Sequence, residues 1–338
     1  MQKDDATTQR VARFVCDAAG AGRAEIIAFE RLSGGAVQQN WALDVKLDGG
    51  AHAGSHRLVM RIDAPARVPE SLTRAQEFRV LETMQAAGVL APRALWLCED
   101  TSVAGRPFFL MERLPGIAAG HRVARDPAVV PDRTRLARDL AANLARLHAI
   151  TPSRVSLPFL PTRLARADIA HVRAYLDRVP EPYPVLEWGL RWCERHAPER
   201  EQTTFVHRDY RTGNYLVHEG RLSGVLDWEF CGFGNPLSDV GWLFAKCWRF
   251  GQHHYTVGGV AKPADFLPEY EKHSGRKVSA DDLVYWQVMA HLRWAMLALQ
   301  QCERHRSGIE PSLELALTGH LISDLEDEIL ALTHGESR

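Results

Sequence analysis

The chain has 338 residues, 46% of them hydrophobic, with 41 basic against 42 acidic side chains. It is longer than most single domains and suits two lobes. A formal net charge of −1 leaves no field for nucleic acid or an anionic membrane surface, and neither is expected as a partner. No apolar h-region follows Met1-Gln2-Lys3-Asp4-Asp5, so no secretory signal is expected. The most apolar stretch, Leu283 to Leu299, is interrupted by His291 and Arg293 and is too short to cross a bilayer comfortably. Cys16, Cys98, Cys193, Cys231, Cys247 and Cys302 lie far apart with no C-x-x-C, which favours a reducing, cytoplasmic setting over a disulfide or zinc framework.

In chain order, Glu25 to Leu32 reads as a strand and Val37 to Leu47 as its partner. Between them, Gly34 and Gly35 can lay backbone N–H groups over phosphates. A third strand, Arg57 to Ile62, places Arg61 after an apolar run, so its side chain starts inside the lobe. A buried cation needs a partner, and the candidate is Glu77 on a helix spanning Ser71 to Ala87, with Leu72, Phe78, Leu81 and Met84 as its apolar positions and Gly88 as its stop. Phe108 to Arg113 is an apolar strand that breaks at Leu114-Pro115-Gly116, a hinge whose backbone can meet an adenine.

Beyond the hinge the chain turns mostly helical. Helices are expected over Arg133 to His148, Ala165 to Arg178 and Pro184 to Ala197, with a proline-containing loop from Ile150 to Leu164. Then comes His207-Arg208-Asp209-Tyr210-Arg211-Thr212-Gly213-Asn214, followed by a short hairpin over Tyr215 to Leu226 that turns at Glu219-Gly220 and delivers Asp227. Two helices are expected after it, and two more, Asp281 to Arg304 and Ser312 to Leu332, close the chain.

These residues are what phosphoryl transfer needs, since that reaction asks for positioning and charge neutralisation more than covalent chemistry. Asp209 can accept the proton of an attacking hydroxyl. Asn214 and Asp227 offer hard oxygen donors for Mg²⁺, and a strand cation paired to a helix carboxylate can hold phosphate.

The chain resembles the aminoglycoside phosphotransferase and choline kinase superfamily, from about Phe29 to Leu332. The resemblance implies an α+β, two-lobed protein-kinase-like fold. Residues 1–114 would form a small antiparallel-sheet, nucleotide-binding lobe, and 115–338 a larger helical catalytic and acceptor-binding lobe. It implies ATP and Mg²⁺ as cofactors, Asp209 as catalytic residue, Asn214 and Asp227 as metal ligands, Arg61 and Glu77 as the phosphate-binding cation and its partner, and Glu112 at the hinge. Lys is usual where Arg61 stands, and Gly is frequent where Arg208 stands. Asp227-Trp228-Glu229 lacks the glycine of a D-F-G switch and no A-P-E follows, which separates the chain from protein kinases. Gly34-Gly35 with Asn40-Trp41 also resembles the phosphotransferase-like domains linked to acyl-CoA dehydrogenases.

The acceptor is expected to be a small molecule with a hydroxyl group. In the resembled architecture the C-terminal helices wall the acceptor site; Glu229 and Asp239 lie just after Asp227, and Gln287, His291 and Trp294 share one face of the penultimate helix that could meet a substrate. Trp228, Trp242, Trp286, His291, Arg293 and Trp294 are the inward candidates for it, with a core role and satisfied hydrogen bonds as the first expectation for His291 and the tryptophans. Arg293, inside an apolar helix, calls for a carboxylate or an anionic ligand, a structural salt bridge being the first expectation. An aromatic and cationic lining suits a hydroxyacyl-type compound better than a polycation. An aminoglycoside-modifying enzyme and a catalytically silent nucleotide-binding module are the alternatives.

Overall fold

The computed structural model describes residues 4–32, 39–63, 71–308 and 310–334. The chain divides into two compact units, Met1–Gly116 with Ser223–Phe230, and Ile117–Leu222 with Cys231–Arg338.

The first unit opens with α1 (Asp5–Ala19). Its buried positions Thr7, Val11, Val15 and Ala19 recur every four residues, the Asp4 side chain accepts from the Thr7 N–H at the start, and Gly20, at φ 61°, ends it. Then follow β1 (Arg23–Arg31), β2 (Gln39–Asp48), β3 (Gly54–Ile62), α2 (Arg74–Ala86), β4 (Ala94–Cys98), α3 (Thr101–Ala104) and β5 (Phe108–Glu112). The strands form one antiparallel sheet in the order β1-β2-β3-β5-β4.

Strand periodicity then decides which side chains meet. Leu58, Met60 and Ile62 of β3 join Val11 and Val15 of α1 in one core. Arg61 therefore points to the opposite face. Phe109 meets Phe78 of α2 with ring centroids 6.0 Å apart. The start of α2 is set by a capping box in which Thr73 and Gln76 satisfy each other's backbone N–H groups.

The second unit contains α4 (Gly120–Arg125), α5 (Arg133–Leu147), β6 (Thr162–Arg163), α6 (Ala165–Leu176), α7 (Pro184–His196), β7 (Thr204–Val206) and β8 (Tyr215–His218). The chain passes between units within β9 (Arg221–Val225), which forms a hairpin with β8. Glu219 and Gly220 both adopt positive φ, 50° and 74°, the geometry of the tight hairpin expected here. After the return come β10 (Gly232–Gly234), α8 (Leu237–Phe244), α9 (Pro263–Ser274), α10 (Ala280–Arg306), α11 (Leu313–Thr318) and α12 (Ile322–His334). The single closing helix expected over Ser312 to Leu332 is instead two helices joined by a 3₁₀ turn, Gly319–Leu321. Gly319 sits where a Cβ would come within 2.7 Å of Cys302 Sγ, so the chain is pressed against α10 at the break.

The core of this unit gathers α6, α7, α10 and α12 around Leu190, Leu292 and Ile329. No described helix is long and apolar enough to cross a membrane.

Candidate active site

In the second unit the segment after β7 is pinned by Asp239 on α8. Its carboxylate accepts the backbone N–H groups of His207 and Arg208, both at 2.7 Å, and a contact from His148 Nε2 at 3.2 Å. His148 is fixed in turn by Tyr270 Oη at 2.8 Å. Burial opposes the Asp239 charge. His148 and the backbone donor outweigh it and hold the carboxyl below its usual range. His148 itself is pushed down by burial. Asp239, its side chain fully buried, therefore anchors the loop.

Pinning is needed because Arg208 takes φ 66°, a left-handed conformation that costs a side-chain-bearing residue about 1–2 kcal/mol. Glycine adopts that conformation freely, which explains its frequency at this place in the resembled family. Arg208 compensates with ion-pair contacts to Asp168 at 2.8 and 3.1 Å. Asp168 was not picked out from the sequence. Its signal was a cation where glycine is usual, which calls for a counter-ion.

Asp209 follows, with its two carboxylate oxygens held separately. Oδ1 accepts from Trp242 Nε1 at 2.9 Å and Arg211 Nε at 3.0 Å. Oδ2 accepts from Asn214 Nδ2, which also donates to the Asp209 carbonyl at 3.1 Å. That orientation of the amide keeps Asn214 Oδ1 for another partner. Gly213, at φ 105°, lies where a Cβ would stand 2.9 Å from Arg211 Nη1, so this turn leaves room for the arginine.

An aromatic and cationic group surrounds this carboxylate. Arg211 lies over Trp248 at 4.3 Å and Arg293 over Trp242 at 4.7 Å. Trp248 meets Trp242 at 5.3 Å and Trp294 at 4.9 Å. Arg293 donates to the Arg208 carbonyl and, against the salt bridge expected for it, makes no ion pair among the described residues. Burial, with Arg208 nearby, pushes its guanidinium pKa down to about 10. Two other candidates for the acceptor are core, the first expectation for them. Trp286 is buried among α6, α7 and α10, and its Cβ region blocks any side chain at Gly241. His291 is fully buried, with Nδ1 on the Gln287 carbonyl at 2.7 Å and its pKa pushed down to about 4 by burial.

In the first unit, Arg61 on β3 faces α2, and its Nε lies 2.9 Å from the Glu77 carboxylate. Nη1 lies 3.0 Å from Asp227 Oδ1, and Nη2 3.6 Å from Glu229 Oε1. Burial acts against the guanidinium charge, but these three carboxylates outweigh it and raise its pKa. Arg74, which the sequence did not single out, pairs with Glu77 and with Asp63 at 2.9 Å. Glu229 belongs to this cluster. Trp228 is core, buried and donating Nε1–H to the Val225 carbonyl at 2.9 Å. Asp227 adopts φ 59°, a conformation Asp tolerates better than most residues. Glu112 ends β5; its N–H donates to the Arg93 carbonyl at 2.9 Å and its half-exposed carboxylate lies 3.8 Å from Arg93 Nε. Gly34 and Gly35 lie outside the described residues.

Among the described residues no group of three or more His, Cys, Asp or Glu side chains forms a ready metal cage. Mg²⁺ does not require one, because it is commonly held by one or two carboxylates together with substrate phosphates and water. Asn214 and Asp227 are donors of that hard-oxygen type. The cluster around Arg61 sets two cations, Arg61 and Arg74, against four carboxylates, Asp63, Glu77, Asp227 and Glu229, an excess of negative charge that suits a divalent cation.

The model of the APH phosphotransferase enzyme family matches residues 28–297. The chain is 33% identical over 180 residues to mouse acyl-CoA dehydrogenase family member 10, covering 51% of this chain and 17% of that protein. Rat acyl-CoA dehydrogenase family member 11 is 25% identical over 299 residues, covering 83% of this chain and 38% of that one. The chain thus spans well under half the length of these curated relatives. Among solved structures, a Ralstonia eutropha protein provisionally described as an aminoglycoside phosphotransferase superposes with a TM-score of 0.76 at 21% identity, covering 97% of this chain and 98% of that one. The aminoglycoside phosphotransferase APH(4)-Ia, in complex with AMP-PNP and hygromycin B, gives 0.63 at 16% identity over 96% and 99%. A choline/ethanolamine kinase family protein from Mesorhizobium loti gives 0.56 at 16% over 97% and 99%. At these identities the structural likeness is one of fold, and that fold is the two-lobed, α+β, kinase-like one.

Proposed function

The chain belongs to the APH phosphotransferase enzyme family, and on that premise we propose that it is an ATP- and Mg²⁺-dependent small-molecule kinase that phosphorylates a hydroxyl group. The observation that carries this is the state of Asp209. Its carboxylate is oriented through both oxygens, on a loop locked by Asp239. Holding a base in a fixed orientation lowers the cost of bringing it to the reacting hydroxyl. Asp209 would take the acceptor's proton. Asn214 and Asp227 would hold Mg²⁺, which when bound neutralises charge on the nucleotide phosphates. Arg61, kept in place by Glu77, would meet phosphate. Residues 1–114 would bind the nucleotide, with Glu112 at the adenine hinge, and 115–338 would hold the acceptor.

The acceptor is proposed to carry an anionic or apolar part, as a hydroxyacyl compound does. Arg293 and Arg211 stand on tryptophan faces beside Asp209, and Arg293 has no ion-pair partner among the described residues. Polycationic aminoglycosides would meet like charge there.

The test is ATP consumption across a panel of hydroxylated carboxylic acids and their thioesters, with kanamycin as the contrasting acceptor. Asp209→Asn should keep nucleotide binding and lower turnover by about 10²-fold or more. Wild-type turnover in that variant would sink the base assignment, and efficient kanamycin phosphorylation would sink the acceptor class.

A further inference from the structure

Arg61 carries three carboxylates on one guanidinium, and they differ in how freely they can leave it. The side chains of Glu77 and Glu229 are 2% and 6% exposed, whereas that of Asp227 is 34% exposed. Asp227 is therefore the partner that solvent, or a cation arriving from solvent, can reach. Arg61 Nη2 is buried and makes no hydrogen bond, yet stands only 3.6 Å from Glu229 Oε1. Nη1 has a second, longer contact with Asn40 Oδ1 at 3.5 Å. Glu77 is not Arg61's alone, since Arg74 Nη1 also donates to it.

We propose that Glu229 is a positioning residue that takes over Arg61 when Asp227 turns to a divalent cation. This rests on the assignment of Asp227 as a metal ligand given above. The physical reason is the cost of an under-neutralised buried charge. If Asp227 leaves, Arg61 keeps Glu77, shared with Arg74, and gains Glu229 by closing the short gap at Nη2. Without the Glu229 carboxylate, releasing Asp227 would leave the guanidinium with one carboxylate, shared with Arg74. Arg61 would then compete with the metal for Asp227. Glu229 thus favours metal binding without touching the metal.

The experiment titrates Mn²⁺ alone into the nucleotide-free full chain and reads free Mn²⁺ by electron paramagnetic resonance. Glu229→Gln is expected to weaken Mn²⁺ binding by about 5-fold or more, the scale of ordinary coupling between sites. In an Arg61→Gln background the same substitution should have no further effect, because the competitor is gone. Wild-type affinity in Glu229→Gln would overturn the proposal. So would a loss that persists undiminished without Arg61, since Glu229 would then be a ligand itself. If Glu229→Gln does not fold, Glu229→Asp keeps the charge at shorter reach. A smaller loss that vanishes without Arg61 is expected of it, and no loss overturns the proposal. Asp227→Asn separates the two levels. If it binds Mn²⁺ as tightly as wild type, the metal assignment of Asp227 fails and the proposal falls with it.

Discussion

Trp242 donates its indole N–H to Asp209 Oδ1 at 2.9 Å, while its ring carries the guanidinium of Arg293 at 4.7 Å. One side chain therefore orients the proposed base and supports the cation proposed to select the acceptor. Trp242→Phe would keep the ring face and remove the N–H. Turnover is expected to fall about 10-fold, the scale of a hydrogen bond to a charged group, with the KM for ATP unchanged. Steady-state kinetics against both substrates checks this; a rise in the KM for ATP without loss of turnover would contradict it.

Arg293 lacks an ion pair among the described residues, and its pKa is pushed down to about 10 by burial and by Arg208, so it remains a cation at neutral pH. Arg293→Gln should raise the KM for an anionic acceptor by about 10-fold and leave an uncharged acceptor nearly unaffected. Equal losses for both acceptors would mean that Arg293 supports the loop through the Arg208 carbonyl and does not read substrate charge.

Arg208 separates backbone strain from ion pairing. Arg208→Gly and Arg208→Ala both remove the contact with Asp168, but only alanine retains the strain of φ 66°. The glycine variant is expected to be the more stable by about 1 kcal/mol. Urea unfolding of the two proteins decides it, and the reverse order would mean the loop relaxes out of the left-handed conformation.

His291 predicts an acid limb in stability. Its folded pKa, about 4, lies below the ordinary 6.5, so between those values the unfolded chain binds a proton that the folded chain does not. Stability is full above about pH 6.5 and falls as pH drops toward 4, by at most about 3 kcal/mol from this group. His148, shifted the same way by burial, adds a loss of the same sign. Thermal melts between neutral pH and about pH 4.5 should show a shallower slope for His291→Gln; an unchanged slope would remove His291 as a source of the acid limb.

Much of the fold could be read from local pattern. β1 to β3, α2, β5, the β8–β9 hairpin and α10 follow from apolar periodicity, paired glycines and turn residues, all of which act over a few neighbouring positions. The pairing of Arg61 with Glu77 could be read too, because the apolar run before Arg61 carries its side chain into the lobe and a buried cation requires a carboxylate. α1 was legible too, from a stripe at Thr7, Val11, Val15 and Ala19 and a cap at each end, although the strand pattern that follows drew the reading away from it. The break at Gly319 was missed because its cause is contact with a residue on another helix.

What the sequence determined by itself was chemistry tied to spacing: His207 to Asn214, the hairpin that delivers Asp227, and the strand cation with its helix carboxylate. Tertiary structure alone decided which of the remaining polar and aromatic residues stand beside that chemistry. Asp239 became the loop's anchor, Glu229 a partner of Arg61, Trp228, Trp286 and His291 core, and Trp242 and Arg293 neighbours of Asp209. The reason is physical. Whether a Trp, His or Asp in an apolar segment lines a site or fills a core depends on which distant surface packs against it, and that contact leaves no periodic trace in the chain.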